Sequence, residues 1–233
     1  MEPDPIHLSI VVPALDEAAS IGACLARLQP ARAAGTEVIV VDGGSADATR
    51  AIAEPLADRV MGSPRGRALQ MNAGAQASSG DVLLFLHADT LLPESARAAI
   101  SSAMQARERA WGRFDVRIEG EHPMLPVVAF FMNARSRLTG IATGDQAIFV
   151  RRAAFEQVGG FPAIPLMEDV AITKALKRVS PPACLRERIV TSGRRWEKRG
   201  TLRTILLMWR LRLAYALGAD PARLAQRYDG RAA

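Results

Sequence analysis

The stretch Asp81-Val-Leu-Leu-Phe-Leu-His-Ala-Asp-Thr90 decides the fold. Val82, Leu83, Leu84, Phe85 and Leu86 follow one another without a polar residue. Such a run suits a strand buried on both faces, the condition of strands in a parallel sheet covered by helices. It stops at His87 and Asp89. Ligands of open sheets bind beyond the carboxyl ends of the strands, so these two side chains stand where a metal ion or a diphosphate would sit. Taken alone, the stretch is read more simply as a strand running into a solvated Asp-Thr turn. Its neighbours change that reading.

Towards the N-terminus, residues 8–12 form an apolar strand ended by Pro13, and Asp16 and Glu17 open an amphipathic helix carrying Ile21, Leu25 and Leu28. Residues 37–41 form a second strand and residues 59–61 a short third one, with a short helix towards Ala53 between them and a helix over 67–77 after them. Towards the C-terminus, Pro93 suits the first turn of another helix. Strands are expected at 113–118, after the loop Gly144-Asp-Gln146, and at 188–191; helices are expected at 124–138, 167–179 and 201–217. This alternation predicts an α/β fold, a mostly parallel central sheet with helices on both faces.

A chain of 233 residues is long enough for one sizeable domain, and its 49% hydrophobic and 23% charged residues are those of a globular protein. No repeat or linker divides it, so a single domain over 1–233 is expected, with a core at about 8–197 and a basic helical extension at 198–233. From Arg186 onward there are 12 Arg and Lys against 4 Asp and Glu, a net of +8, while the preceding residues sum to 18 minus 20, or −2. A neutral body with a basic tail suits an anionic partner or a solvated basic face. Nucleic acid is set aside, because the basic residues fall in no recognition motif. Cys24 and Cys184 lack metal-like spacing and suit a reduced cytoplasmic setting, with a disulfide left open. The acidic, proline-rich start is not a signal peptide. No apolar run nears the ~20 residues that span a bilayer. A cytoplasmic protein is expected, peripheral at the inner face of the membrane if it meets one.

Several residues could carry chemistry. Asp42 and Gly43 begin the segment Asp42-Gly-Gly-Ser45 after an apolar strand. The carboxylate could accept hydrogen bonds from a nucleobase or ribose, or close an Asx turn, and the glycines let a ligand approach the backbone. Arg65 and Arg67 stand at a helix start, unfavourable for the dipole unless an anion binds there. Glu168 and Asp169 open a helix, where the dipole favours acids in any case, yet either could act as a general base. The segment Thr191-Ser-Gly-Arg-Arg-Trp196 puts two guanidiniums, Arg194 and Arg195, beside an indole in a loop; the arginines could clamp phosphate and Trp196 could stack on a sugar or base. On the last helix Arg199, Arg203 and Arg210 form a narrow stripe, with Leu202, Ile205, Trp209 and Leu213 on an apolar face. That pattern suits a membrane surface, a cap over the domain or a homodimer contact.

Val11-Val-Pro-Ala-Leu-Asp-Glu17, Asp42-Gly-Gly-Ser45, His87-Ala-Asp89, Glu168-Asp169 and Arg195-Trp196, in this order, resemble the family-2 glycosyltransferases of the GT-A fold. The segments Arg65-Gly-Arg-Ala-Leu-Gln-Met-Asn-Ala-Gly74 and Gly144-Asp-Gln146 resemble a small bacterial subgroup of that family with no settled substrate. The resemblance implies a nucleotide-diphosphate-sugar donor and direct displacement with inversion. It makes Pro13, Ala14 and Glu17 a donor-binding loop, with Ala88, Arg65 and Arg67 also on the donor side, and Asp42 the base-binding aspartate. It makes Asp89 the ligand of Mg²⁺ or Mn²⁺, with His87 beside it, and Asp169 the base for the acceptor hydroxyl. Asp145, Gln146, Arg195 and Trp196 fall to the acceptor or phosphate side. His87 replaces an aspartate of the family's D-x-D, which favours Mn²⁺, since Mg²⁺ prefers oxygen. Ser192 replaces the glutamine that processive synthases carry, so a single transfer is expected. A membrane-touching last helix would make a lipid-linked acceptor attractive. The alternatives are a non-catalytic nucleotide- or lipid-binding module and a sugar-phosphate nucleotidylyltransferase; the latter needs a glycine-rich loop after the first strand, which residues 12–17 lack.

Overall fold

The computed structural model describes residues 6–106, 108–194 and 200–229. These residues form one eight-stranded sheet: β1 (Leu8–Ala14), β2 (Glu37–Asp42), β3 (Arg59–Gly62), β4 (Val82–Phe85), β5 (Thr90–Leu91), β6 (Trp111–Glu119), β7 (Ile148–Arg151) and β8 (Ala183–Ser192). In space the order is β3-β2-β1-β4-β7-β6-β8-β5. The first four are mutually parallel. β7 runs antiparallel to both β4 and β6, β8 is parallel to β6, and β5 is antiparallel to β8.

Helices cover both faces, because alternate strand residues point opposite ways. Leu8, Ile10 and Val12 pack under α1 (Ile21–Ala33), α4 (Ala96–Gln105) and α5 (Leu125–Thr139). Val11, Ile39, Leu83 and Phe85 pack under α3 (Arg67–Ala77), α6 (Arg152–Gln157) and α7 (Glu168–Val179). Each fully buried Val, Leu or Ile contributes about 1.5–3 kcal/mol. The polar residue of β1, Ser9, is buried with its hydroxyl satisfied, donating to Glu37 (2.5 Å) and accepting from the amide of Gly80 (2.8 Å). α2 (Thr49–Ala53) closes the loop after β2. A long terminal helix (Thr201–Ala216) and a short one (Pro221–Asp229) pack on Met167 through Leu211 and Leu224.

Several boundaries differ from expectation. Pro13 does not end β1, which continues to Ala14. The amide of Leu86 donates to the carbonyl of Val11, so Val11 and, two residues on, Pro13 face β4, which has ended at Phe85. The missing proline N–H therefore costs no ladder hydrogen bond. Asp16 and Glu17 do not open α1: Asp16 has φ 54° and the helix begins at Ile21. The carbonyl of Pro93 accepts from the amide of Ala96, so α4 starts after a preliminary turn. β8 is longer than the expected 188–191 because it pairs along β6 from Gly112 to Glu119. The apolar face expected on the long terminal helix divides: Ile205 packs inward while Trp209 and Leu213 are exposed. Leu211, on another side of that helix, is buried. Cys24 and Cys184 are both free, which settles the disulfide left open.

Candidate active site

β1, β2 and β4 end side by side, and Ala14 is paired in register with Asp42. Beyond these ends lies a cleft lined by Pro13, Glu17, Arg67, His87, Ala88 and Asp89. Asp145, Thr204, Met208 and Tyr228 line its far side, so the two terminal helices help to wall it.

The donor-side loops are tied to one another. Asp42 closes an Asx turn, accepting from the amides of Gly44 (3.1 Å) and Ser45 (3.1 Å) and the Ser45 hydroxyl (2.5 Å). The turn alternative is therefore realised, and the carboxylate keeps further lone pairs for a ligand. The amide of Asp16 donates to Ser45 Oγ (2.9 Å), and the Asp16 carboxylate accepts from the amide of Ala46 (2.8 Å). Beneath them Gln70, 4% exposed, donates to the carbonyls of Ala14 (2.7 Å) and Val41 (2.9 Å), clasping β1 to β2 at their tips. A Cβ on Gly43 would meet that carboxamide at 3.1 Å. Gln70 was legible in the sequence only as one polar residue of an expected helix.

Acid and base are concentrated at the opposite wall. Arg67 lies 3.5 Å from Glu168, which is 4% exposed. Burial pulls the Arg67 guanidinium down, but Glu168, Asp145, Asp169 and Asp89 reverse this and hold it above its ordinary range. Burial, then the charge of Asp169, pushes the Glu168 carboxyl up, against the pull of Arg67 and His87. The anion expected at the start of α3 is thus met, in part, by a carboxylate of the chain itself. Asp169 accepts from the amides of Gly144 (2.9 Å) and Val170 (2.7 Å), which aim it towards the Gly144 turn. Met167, with φ 69°, makes the bend that sets both acids at the first turn of α7.

His87 Nδ1 lies 3.3 Å from the Asp145 carboxylate. Its buried Nε2 has no hydrogen-bond partner among the described residues and faces Gly144, where a Cβ would come within 2.5 Å. Among the described residues no group of three or more His, Cys, Asp or Glu could hold a metal ion. A cation carried mainly by substrate phosphates needs only one or two protein carboxylates, and Asp89 in the cleft fits that demand. His87 is turned to Asp145 and Gly144.

Other expected site residues fare unevenly. Arg65 is exposed in the loop before α3 and outside the cleft wall. Gln146 is fully buried; it donates to Ser136 Oγ (3.0 Å) and caps its own turn, so it is not free to meet a phosphate or an acceptor. Arg195 and Trp196 lie outside the described residues. Arg194, their neighbour, does reach the site: its guanidinium is 3.2 Å from Glu17 and 3.9 Å from Asp89, and it donates to Ser192 Oγ (3.1 Å). Ser192, noted in the sequence only as a departure, thus orients an arginine of the cleft. Arg135 was legible only as a charge ending a helix, yet its Nε and Nη2 are buried without hydrogen-bond partners among the described residues.

A family model described as glycosyl transferase family 2 matches residues 9–159. No curated protein sequence matches. Among solved structures, the mannosyltransferase PcManGT from Pyrobaculum calidifontis, in complex with GDP-Man and Mn²⁺, is 21% identical with a TM-score of 0.63 and covers 99% of this chain and 67% of that one. S. aureus TarS 1-349 in complex with UDP is 17% identical with a TM-score of 0.64, covering 80% and 60%. Glucosyl-3-phosphoglycerate synthase from Mycobacterium tuberculosis, with Mn²⁺ and UDP-glucose, is 20% identical with a TM-score of 0.59, covering 80% and 70%. The chain spans 61% of the length of TarS 1-349 in a further structure of that protein. At these identities the likeness carries the fold.

Proposed function

Because the chain belongs to glycosyl transferase family 2, we propose that it moves a sugar from a nucleotide-diphosphate donor to an acceptor hydroxyl, once per encounter and with inversion at the anomeric carbon. The observation that carries this reading is the cleft at the carboxyl ends of β1, β2 and β4, lined by Arg67 and Asp89, with Glu168 against Arg67 and Arg194 3.9 Å from Asp89. Residues of about 8–197 would be the catalytic core and the terminal helices its extension, a boundary that falls outside the described residues.

The donor's nucleoside would lie over the β1 and β2 tips, with Asp42 accepting from it and Pro13, Ala14 and Glu17 flanking it. Its diphosphate would face Arg194 and Arg67, whose guanidiniums suit phosphate oxygens. Asp89 would hold a divalent ion, Mn²⁺ or Mg²⁺, which when bound supplies Lewis-acid neutralisation of the leaving diphosphate. Asp169 takes the proton of the acceptor hydroxyl as that oxygen attacks the anomeric carbon. The bond from this carbon to the phosphate oxygen breaks on the opposite side, and its electron pair leaves with the nucleoside diphosphate. The backbone amides that fix Asp169 keep its carboxylate in place for that transfer.

Thermal-shift titration with UDP, GDP, dTDP and CDP, each with Mn²⁺, Mg²⁺ or EDTA, tests the reading. A ligand that binds only the folded state raises the melting temperature. A metal-dependent rise with one nucleotide, lost in Asp89→Ala, is expected. No rise with any of the four would remove the donor-site assignment.

A further inference from the structure

α5 and the long terminal helix enclose a groove beside the cleft, lined on one wall by Val128, Phe131 and Met132 and on the other by Ile205, Met208 and Trp209. Its volume of about 440 Å³ is that of a ligand pocket. It opens towards the candidate site, since Met132, Asp145 and Met208 line both. Phe131 and Trp209 are 60% and 67% exposed, so the chain itself leaves its outer rim uncovered. An apolar ligand in the groove would cover both of these exposed side chains.

Charge tells what kind of ligand. Arg135 and Arg212 line the apolar groove and also a second groove behind it, where they are joined by Lys174, Lys177 and Arg178. The Nε and Nη2 donors of Arg135 are buried without hydrogen-bond partners among the described residues, a costly state for a guanidinium unless a ligand completes it. Burial pulls the Arg135 guanidinium down, opposed by Asp169 and Asp145, so it belongs electrostatically to the same site as the proposed base.

We propose that this groove binds the acceptor, and that the acceptor is an amphiphilic anion: an apolar chain between α5 and the long terminal helix, with an anionic head held by Arg135 and Arg212. The inference rests on the transferase reading and deepens it by naming the acceptor class. The head group, with its accepting oxygen, faces Asp145 and Asp169, while the chain runs outward past Phe131 and Trp209. A bilayer lying flat on the rim would leave the donors of Arg135 unmet, and this separates the two occupants.

The test is isothermal titration calorimetry of the whole chain with dodecyl phosphate below its micellar concentration, beside dodecyltrimethylammonium and inorganic phosphate. Saturable one-site binding of dodecyl phosphate is expected, with the cation and inorganic phosphate each roughly tenfold weaker or more. Arg135→Gln and Phe131→Asp should each weaken it by about tenfold or more, and Arg135→Lys should recover part of the loss. Circular dichroism melts of each variant exclude unfolding as the cause. No saturable binding, or equal binding by the parent and Arg135→Gln, overturns the proposal. So does binding only to phosphatidylglycerol vesicles, which would assign this face to a bilayer. Nucleotide thermal shifts on the same preparations separate the two readings: shifts without dodecyl phosphate binding remove only the acceptor proposal, and binding without shifts removes the donor site and leaves an amphiphile-binding groove in place of an acceptor site.

Discussion

Glu168 and Asp169 are adjacent acids placed in different surroundings. Glu168 is nearly out of solvent against Arg67, while Asp169 is held by two backbone amides. Burial, then Asp169, keeps the Glu168 carboxyl above the ordinary glutamate range near about 4.3. The folded protein therefore binds more protons here than the unfolded chain. The stability this group contributes is present below the ordinary glutamate value and is lost as pH rises through its folded value. Glu168→Gln cannot ionise, so its melting temperature relative to the parent should rise as pH climbs above the ordinary glutamate value of about 4.3. A difference that stays flat above that value would contradict the assignment. Asp169→Asn should lower transfer by about 10² to 10⁴-fold while leaving the donor-induced thermal shift intact, as expected for loss of a base. Single-turnover transfer and the thermal shift, measured on one preparation, distinguish that outcome from a collapsed site. Both acids were legible in the sequence as a pair opening a helix. Their unequal burial was not, because it depends on Arg67 arriving from α3.

α3 shows how an element is placed by its smallest residue. A Cβ on Gly74 would lie 2.3 Å from Val11 Cγ1 and 2.9 Å from Val41 Cγ2, so the helix packs directly on β1 and β2. That close approach brings Gln70 under the strand tips and Arg67 to Glu168. Gly74→Ala should destabilise the protein by about 1–3 kcal/mol through overpacking, read as a lower urea midpoint. An unchanged midpoint would mean that α3 can lift from the sheet without cost. The limits of α3 and α7 were readable from periodicity almost to the residue. Those of β8 were not, since its length is set by a partner strand distant in sequence.

For the whole molecule, the two faces of the sheet hold most of the buried apolar side chains, while the terminal helices rest on a small cluster of Met167, Leu211 and Leu224. Local opening follows that difference. In hydrogen exchange, amides of the terminal helices should exchange faster than those of β1, β2 and β4. Equal protection would show that the terminal helices unfold only with the core. No helix of the described residues is long and apolar enough to cross a membrane, and the exposed Leu206, Trp209 and Leu213 lie on a helix whose other side is buried.

The sequence by itself determined the parallel strands, the helices between them and the polar residues at the strand ends. Apolar runs, helical spacing and chain-local turns are properties of neighbours along the chain. Tertiary structure alone decided which of those polar residues meet. It buried Gln146 within its turn, turned His87 to Asp145, brought Arg194 to Asp89 and left the guanidinium donors of Arg135 unpartnered among the described residues. Each of those outcomes depends on distances between elements far apart in sequence, and no periodicity encodes them.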